Sequence, residues 1–335
     1  MKGILTTPPL KIFGLIIGFV CIVMAMYTSI VFGVIDTNWK TVVDAYTHFN
    51  GTNEHIVIKE VRVPRAFIAL AVGTCLGISG VLIQALTRNP LADVGILGIN
   101  AGASLFIVIA VAFFSFSTLA SLTWVGFFGA AASGLFVYFL GSLGRDGATP
   151  LKLTLAGAAI YALCSSLTQG VLLFRESAIE EVLFWLEGSV AGRKLDVLVS
   201  VLPYMIVAII GSLLIAKPIN TLMLGEDVAK GVGQRTALVK AIMGILLVML
   251  AGSSIAAAGP ISFVGLIIPH IARFLVGIDT RWMVLYSAQL GAILLLIADI
   301  LARFVAMPKE LPIGVITALL GVPFFIYVAR KGVRV

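Results

Sequence analysis

The sequence predicts an all-α polytopic membrane protein. Three observations carry this: eight long stretches without a charged residue, a composition too apolar to cover with polar surface, and Pro/Gly breaks at matching places in two halves. Asp, Glu, Lys and Arg are absent between Lys11 and Asp36, Arg65 and Arg88, Asp93 and Arg145, and Lys152 and Arg175. They are also absent between Asp196 and Lys217, Lys240 and Arg273, Arg281 and Asp299, and Glu310 and Arg330. These gaps hold 24, 22, 51, 22, 20, 32, 17 and 19 residues. A hydrocarbon core about 30 Å thick takes roughly 20 apolar helical residues, so each gap fits one span or two.

The 335 residues are 60% hydrophobic and 12% charged, with a mean hydropathy of +1.11. A soluble domain carries about 25% charged residues. One very large water-soluble core is excluded, because too little polar surface remains to cover it. Backbone groups in lipid must pair internally, which favours helices; a barrel would show short alternating segments instead. Cys21, Cys75 and Cys164 lie in apolar blocks without metal or CxxC spacing and are expected to pack in the core.

Taken in order, the first span (12–34) follows Lys2 and Lys11 in the manner of a signal peptide. Its length, and the lack of a small-x-small cleavage site, favour a retained helix. Span two (64–86) opens on Pro64, which suits a first helical turn. The 51-residue block breaks near 116–123 into spans 95–114 and 121–142, and spans 153–174 and 197–216 follow. Gly259-Pro260 and Pro269 interrupt the 32-residue block, giving span 240–257 and a shorter broken helix, 262–276. Spans 282–304 and 311–330 complete ten, in a single transmembrane domain over 1–335. The loop 36–60 offers no interpretable motif.

Ten spans place both termini on one side. The side holding the termini collects fourteen Lys/Arg and five Asp/Glu, against nine and eleven on the other. Basic residues accumulate on the cytoplasmic side, so the termini are expected inside and loop 36–60 outside. The net charge of +7 then reflects topology and lipid contact and gives no reason to invoke nucleic acid.

Two interrupted passages recur in the halves: QALTRNPLADVGILGINAGAS (84–104) after span two and GPISFVGLIIPHIAR (259–273) after span seven. Likewise ATPLKLTLAG (148–157) enters span five and ELPIGVITALLG (310–321) enters span ten. Spans two to five and seven to ten thus read as one unit in two opposite orientations. Such inverted repeats with broken helices typify transporters.

Arg62 and Arg65 flank Val63-Pro64 on one helix face, and Arg303 ends span nine one turn beyond Asp299. These arginines lie outside, against the charge trend. They either snorkel to headgroups, with Asp299–Arg303 a local pair, or form a basic docking ring for an acidic partner. The region 217–240 mixes Gly225, Gly231 and Gly233 with Glu226, Asp227, Lys230 and Arg235. Its spacing fits short helices between glycine turns, as a solvated loop, an interfacial helix or a protruding knob. No phosphate-binding G-x-x-x-x-G-K-[ST] loop occurs. His48, His55 and His270 are scattered, so no metal site is expected, and His270 reads as a helix-end hydrogen bonder. Among carboxylates only Asp299 approaches the membrane interior, which weakens the case for an ion-coupled carrier.

RVPR leading into GTCLGISGVLIQALTRNPLADVGILGINAGAS, then GPISFVGLIIPHIAR and ELPIGVITALLGVPFFI, resembles the membrane permeases of bacterial ATP-driven importers for iron–siderophore complexes, haem and vitamin B12. The resemblance runs from about Lys59 to Lys331. It implies a ten-span permease dimer, homo- or heteromeric, in the cytoplasmic membrane. Cytoplasmic ATPase subunits would sit below and a substrate-binding protein would dock above. By the same resemblance, Arg62, Arg65 and Arg303 would meet glutamates of the binding protein. Leu224, Gly225, Glu226 and Asp227 would belong to the coupling helices seated on the ATPase. Spans five and ten would line the pathway, with Arg145, Asp146, Thr149 and Pro150 in the inner gate region. The chain is thus expected to be a transport subunit without catalytic residues or cofactor. Its cargo would be an iron–siderophore or related metal chelate, with haem or vitamin B12 as alternatives of the same class. An ion-coupled secondary carrier is the rival from a different class.

Overall fold

The computed structural model describes residues 3–33, 37–114, 116, 118–144, 148–175, 185–307 and 309–331. Among these the chain is helical, with no strand. Helix α1 (Pro8–Val31) starts on a proline pair after extended Thr7. The segment before span two, unread in the sequence, forms α2 (Trp39–Thr47) and the first turns of α3 (Asn53–Thr87). Within α3 the stretch Val57–Arg62 is π-helical, so its turns carry one extra residue just ahead of Pro64. Helices α4 (Ile99–Phe114), α5 (Leu119–Ser142) and α6 (Pro150–Phe174) follow. Next come α7 (Leu195–Leu214), the short α8 (Ala216–Met223) and α9 (Glu226–Gly231), and then α10 (Thr236–Ala258). The chain ends with α11 (Val264–Val276), α12 (Thr280–Phe304) and α13 (Ile313–Lys331).

Each expected span coincides with a helix, within a few residues. Seven are long and apolar enough to cross a membrane, while Ile99–Phe114, Val264–Val276 and Ile313–Val328 are shorter apolar helices. At 1.5 Å per residue, α4 covers about 24 Å and α11 about 20 Å, less than a full hydrocarbon thickness. Irregular chain precedes each of them. Arg88 and Gly98 take left-handed backbone before α4, around a 3₁₀ turn at Val94–Leu97. Gly259 and Phe263 do so before α11. Both passages lie against the bundle, partly buried, and polar groups in them find partners within the protein.

Helix α3 is the central column, packed along α12, α10 and α11. Glycines let these backbones touch: a Cβ on Gly77 would lie 2.1 Å from the Ser287 carbonyl oxygen, and one on Gly291 2.1 Å from that of Gly73. In lipid there is little hydrophobic force between helices, so close backbone contact supplies the cohesion. Helix α1 lies at the edge, its apolar side chains Ile12, Phe13, Ile16, Phe19 and Val20 exposed. It is fixed to α12 where Tyr286 Oη donates to the Lys11 carbonyl (2.7 Å) and Gln289 Nε2 to that of Leu15 (2.9 Å). Cys21 is exposed on this helix, unlike buried Cys75 and Cys164, which corrects the core placement expected for all three. An edge helix turns most of its circumference outward.

The irregular passages seat against the last helix of each half. A Cβ at Gly157 of α6 would come 2.2 Å from the Ile96 carbonyl oxygen, and one at Gly321 of α13 2.4 Å from Phe263 Cβ. The passages also meet each other: Phe263 N donates to Asp93 Oδ2 (3.3 Å), and Gln84 Nε2 to the Gly265 carbonyl (3.4 Å). Arg273 Nη2 in turn donates to Gln84 Oε1 (3.2 Å). Asp93 is therefore a second carboxylate used inside the bundle, which the charge-gap reading overlooked. His270 is a mid-helix hydrogen bonder rather than a helix-end one, its Nδ1 lying 3.1 Å from the Leu266 carbonyl oxygen.

Replacing Gly77 or Gly291 with leucine should separate α3 from α12 and cost about 3 kcal/mol or more, as overpacking of a tight contact does. Thermal unfolding of the purified protein, followed by size-exclusion chromatography, should show an early loss of the monodisperse species.

Candidate functional sites at the two ends of the bundle

One end gathers the three arginines singled out in the sequence. Arg62 Nη1 donates to the carbonyls of Ile30 (3.2 Å) and Val31 (2.7 Å) and to Thr37 Oγ1 (2.6 Å). It thereby caps the carbonyl end of α1, where a cation is favourable. Arg65 donates through Nε to Asp299 Oδ1 (2.5 Å) and through Nη1 to Glu310 Oε2 (2.6 Å). Arg303 donates through Nη1 to the Ser29 carbonyl (2.6 Å) and through Nη2 to Ser29 Oγ (2.9 Å). Its Nη2 also pairs with Asp299 Oδ2. Asp299 is thus a bridge between Arg65 and Arg303, and the local Asp299–Arg303 pair is only half of its role.

The arrangement differs from an outward basic ring. Arg62, Arg65 and Arg303 are each only 3% exposed. A guanidinium at a membrane boundary is costly unless its donors are used, and here carbonyls and carboxylates draw all three inward. Among the described residues, the cluster's most exposed acidic member is Glu310, whose side chain is 37% exposed. Glu310 lies in the ELPIG passage but received no role from the sequence. Its signal was present: it follows Arg303 closely on the same expected side. Ser29 carried no such signal, because nothing in an apolar helix marks a serine that meets a charge 274 residues away.

The opposite end is built by 216–240. Gly225 adopts φ 131°, a conformation open to glycine, and so turns the chain sharply between α8 and α9. The expected short helices and glycine turns are present. Leu224 is 72% exposed at the tip, beside exposed Met223, Asp227, Val228 and Val232. The base is tied down: Asn220 Nδ2 donates to Asp279 Oδ1 (2.8 Å), Thr280 N to Asn220 Oδ1 (2.8 Å), and Arg88 Nη2 to the Leu222 carbonyl (3.1 Å). Buried Lys240, read in the sequence only as a boundary charge, donates to Glu226 Oε2 (2.7 Å) and to the Ala148 carbonyl (3.0 Å). It joins the knob to the residues that start α6. There, Thr149 Oγ1 accepts from Lys152 N (3.4 Å) and Pro150 occupies the first turn. Arg145 and Asp146 lie outside the described residues.

The hydrogen bond from Lys240 is the main cause holding the Glu226 carboxyl below its usual range, aided by Lys230 and opposed by burial. The tie therefore contributes stability above the ordinary carboxylate pKa and loses it as pH falls through the lowered folded-state value.

These features define a multi-pass helical membrane protein with a charged cluster at one end and a glycine-hinged knob at the other. A solved structure described as a metal-chelate type ABC transporter in an inward-facing conformation matches it with a TM-score of 0.83 and 28% identity, over 95% of this chain and 99% of that one. Residues 20–331 match the FecCD transport family, and the chain belongs to it. The family comprises transport permease subunits of ABC importers rather than enzymes. The "Probable siderophore transport system permease protein YfiZ" of Bacillus subtilis is 53% identical over 319 residues, covering 94% of this chain and 96% of the relative. The "Fe(3+)-citrate import system permease protein YfmD" of the same species is 42% identical over 284 residues, covering 85% and 84%.

Asp299→Asn should leave Arg65 and Arg303 without their shared counter-charge and cost about 3–5 kcal/mol, the usual result of breaking a buried pair. A lowered thermal midpoint in detergent would register it. Lys240→Met should cost less, roughly 1 kcal/mol, because Glu226 is partly solvated. Acidification from neutrality through and below the ordinary carboxylate range should lower the wild-type midpoint more than that of Glu226→Gln, since only the wild type carries a carboxyl held low by Lys240 in the folded state.

Proposed function

We propose that this chain is the permease subunit of an ATP-driven importer that carries an iron–siderophore complex, or a related metal chelate, across the bacterial cytoplasmic membrane. Family membership together with two separate handles at opposite ends of the bundle carries this reading. In it the chain crosses the membrane ten times, the shorter helices α4, α11 and α13 being completed by irregular passages. The knob end, with both termini, faces the cytoplasm, as the excess of basic residues favours. The seating of Ile96 on Gly157 and of Phe263 on Gly321, at corresponding places in the two halves, supports an inverted repeat.

Cytoplasmic ATPase subunits engage the exposed tip at Leu224, Gly225, Glu226 and Asp227. A substrate-binding protein docks at the end holding Arg62, Arg65 and Arg303. Movement imposed on the tip reaches the start of α6 through Glu226, Lys240 and Ala148, so Thr149 and Pro150 lie where a gate can be worked. A second permease chain faces α6 and α13. Helix α6 supports this: it is poorly buried, yet it exposes Tyr161, Ser166 and Gln169, groups better suited to a water-filled pathway than to lipid. Cargo selection falls to the binding protein, and the relatives named for siderophore and ferric citrate transport favour an iron chelate.

The test is uptake of radio-iron by vesicles containing this chain with its ATPase and binding protein. Transport should require ATP and all three components, and excess unlabelled ferric siderophore should compete while haem and cobalamin should not. Uptake driven by an ion gradient in vesicles holding this chain alone would refute the proposal.

A further inference from the structure

Among the described residues of the arginine end, Arg65 and Arg303 are paired to two carboxylates of unequal standing, Asp299 and Glu310. Asp299 is completely buried and gripped from both sides by Arg65 and Arg303, so no incoming group can replace it without dismantling three helices. Glu310 is different. It reaches Arg65 through one bond, Oε2 to Nη1 at 2.6 Å, and its side chain is 37% exposed. The neighbouring Nη2 of Arg65 is buried without a hydrogen-bond partner, as is Nε of Arg303. Arg65 thus offers a planar fork of which Glu310 uses one tooth.

Glu310 also sits at a mechanical junction. Two residues on, Pro312 leads into α13, the helix assigned above to the pathway. The adjoining Leu311 N donates to the Ala302 carbonyl at the end of α12 (3.0 Å), and Gly314 N donates to the Gly188 carbonyl (3.1 Å). The Glu310–Arg65 pair is therefore a tie between the head of α13 and the central column α3.

We propose that Glu310 is an internal substitute for a partner carboxylate: an acidic side chain of the docking protein displaces it from Arg65 and so releases the head of α13. This rests on the reading of the arginine end as the docking surface. The exchange is favourable because an unconstrained carboxylate can take Nη1 and Nη2 together, where Glu310 takes Nη1 alone, and bidentate charge-assisted pairs are the stronger. It explains how arginines that are 3% exposed can serve a partner at all: the surface presents the half-exposed Glu310, and the cation behind it becomes available only as that residue leaves. Docking and gate release are then one event, each favouring the same state.

The decisive variant is Glu310→Gln, which keeps the shape and removes the competing charge. The permease–ATPase complex in nanodiscs is titrated with the substrate-binding protein that supports uptake with this chain. Exchange predicts that E310Q binds it about tenfold more tightly at low salt, within the range of a close charge pair. It also predicts raised basal ATP hydrolysis with less further stimulation on docking. In the complex without partner, labelling of Arg65 by phenylglyoxal, read by mass spectrometry, should rise several-fold over wild type and fall again when the partner is bound. A Glu310 that is merely a structural clip predicts the opposite sign, weaker or unchanged binding, and that result overturns the proposal. Arg62→Glu/Arg65→Glu separates the two layers. If it binds the partner as wild type does, the docking reading fails. If it loses binding while E310Q changes neither affinity nor labelling, docking stands and exchange falls. Should the double variant fail to assemble with the ATPase, protection of wild-type Arg65 by the partner tests docking in its place.

Discussion

A hydrocarbon solvent offers no hydrogen bonds, and the rest of this structure depends on that constraint. Every polar group held at depth must find its partner within the protein. Long apolar helices meet the demand locally. Where the chain leaves the helix, at Arg88–Gly98 and Gly259–Phe263, it packs against the bundle, and Asp93, Gln84 and Arg273 form the hydrogen bonds there. The same constraint sweeps charges to the two ends and leaves close glycine contacts, such as Gly77 on Ser287, to hold the centre.

The two ends answer the constraint differently. At the arginine end the charges are paired with one another and with the carbonyl terminus of α1, giving a sealed, strongly coupled cluster. At the other end the base is tied by single hydrogen bonds, while the tip around Leu224 stays exposed and turns on Gly225. One end is suited to a change of charge partner and the other to being pushed. The function proposed above, a gated conduit worked from both sides, draws on both properties.

Much of the fold was legible because lipid writes directly on composition. Charge gaps located the seven long apolar helices and the three shorter ones, and Pro64 and Gly259-Pro260 marked a start and a break. The π-helical turn before Pro64 was not read in the sequence. Among the end residues, the arginines were singled out because they violate the charge trend, and the 217–240 region because its glycines punctuate a polar run. Asp93, Lys240 and Glu310 were not found: each looked like an ordinary boundary charge.

The sequence by itself determined that the chain lives in a bilayer as helices, where those helices run, and which residues carry charge at their ends. Hydrophobic thickness and helix-breaking residues are local properties, readable one segment at a time. Tertiary structure alone decided which way those charges face. Arg65 meets Asp299 and Glu310 across 234 and 245 residues, and Lys240 reaches Ala148 across 92. Such pairings depend on how helices cross, which no single segment encodes. They turn an expected ring of exposed cations into a closed cluster with one half-exposed carboxylate at its mouth.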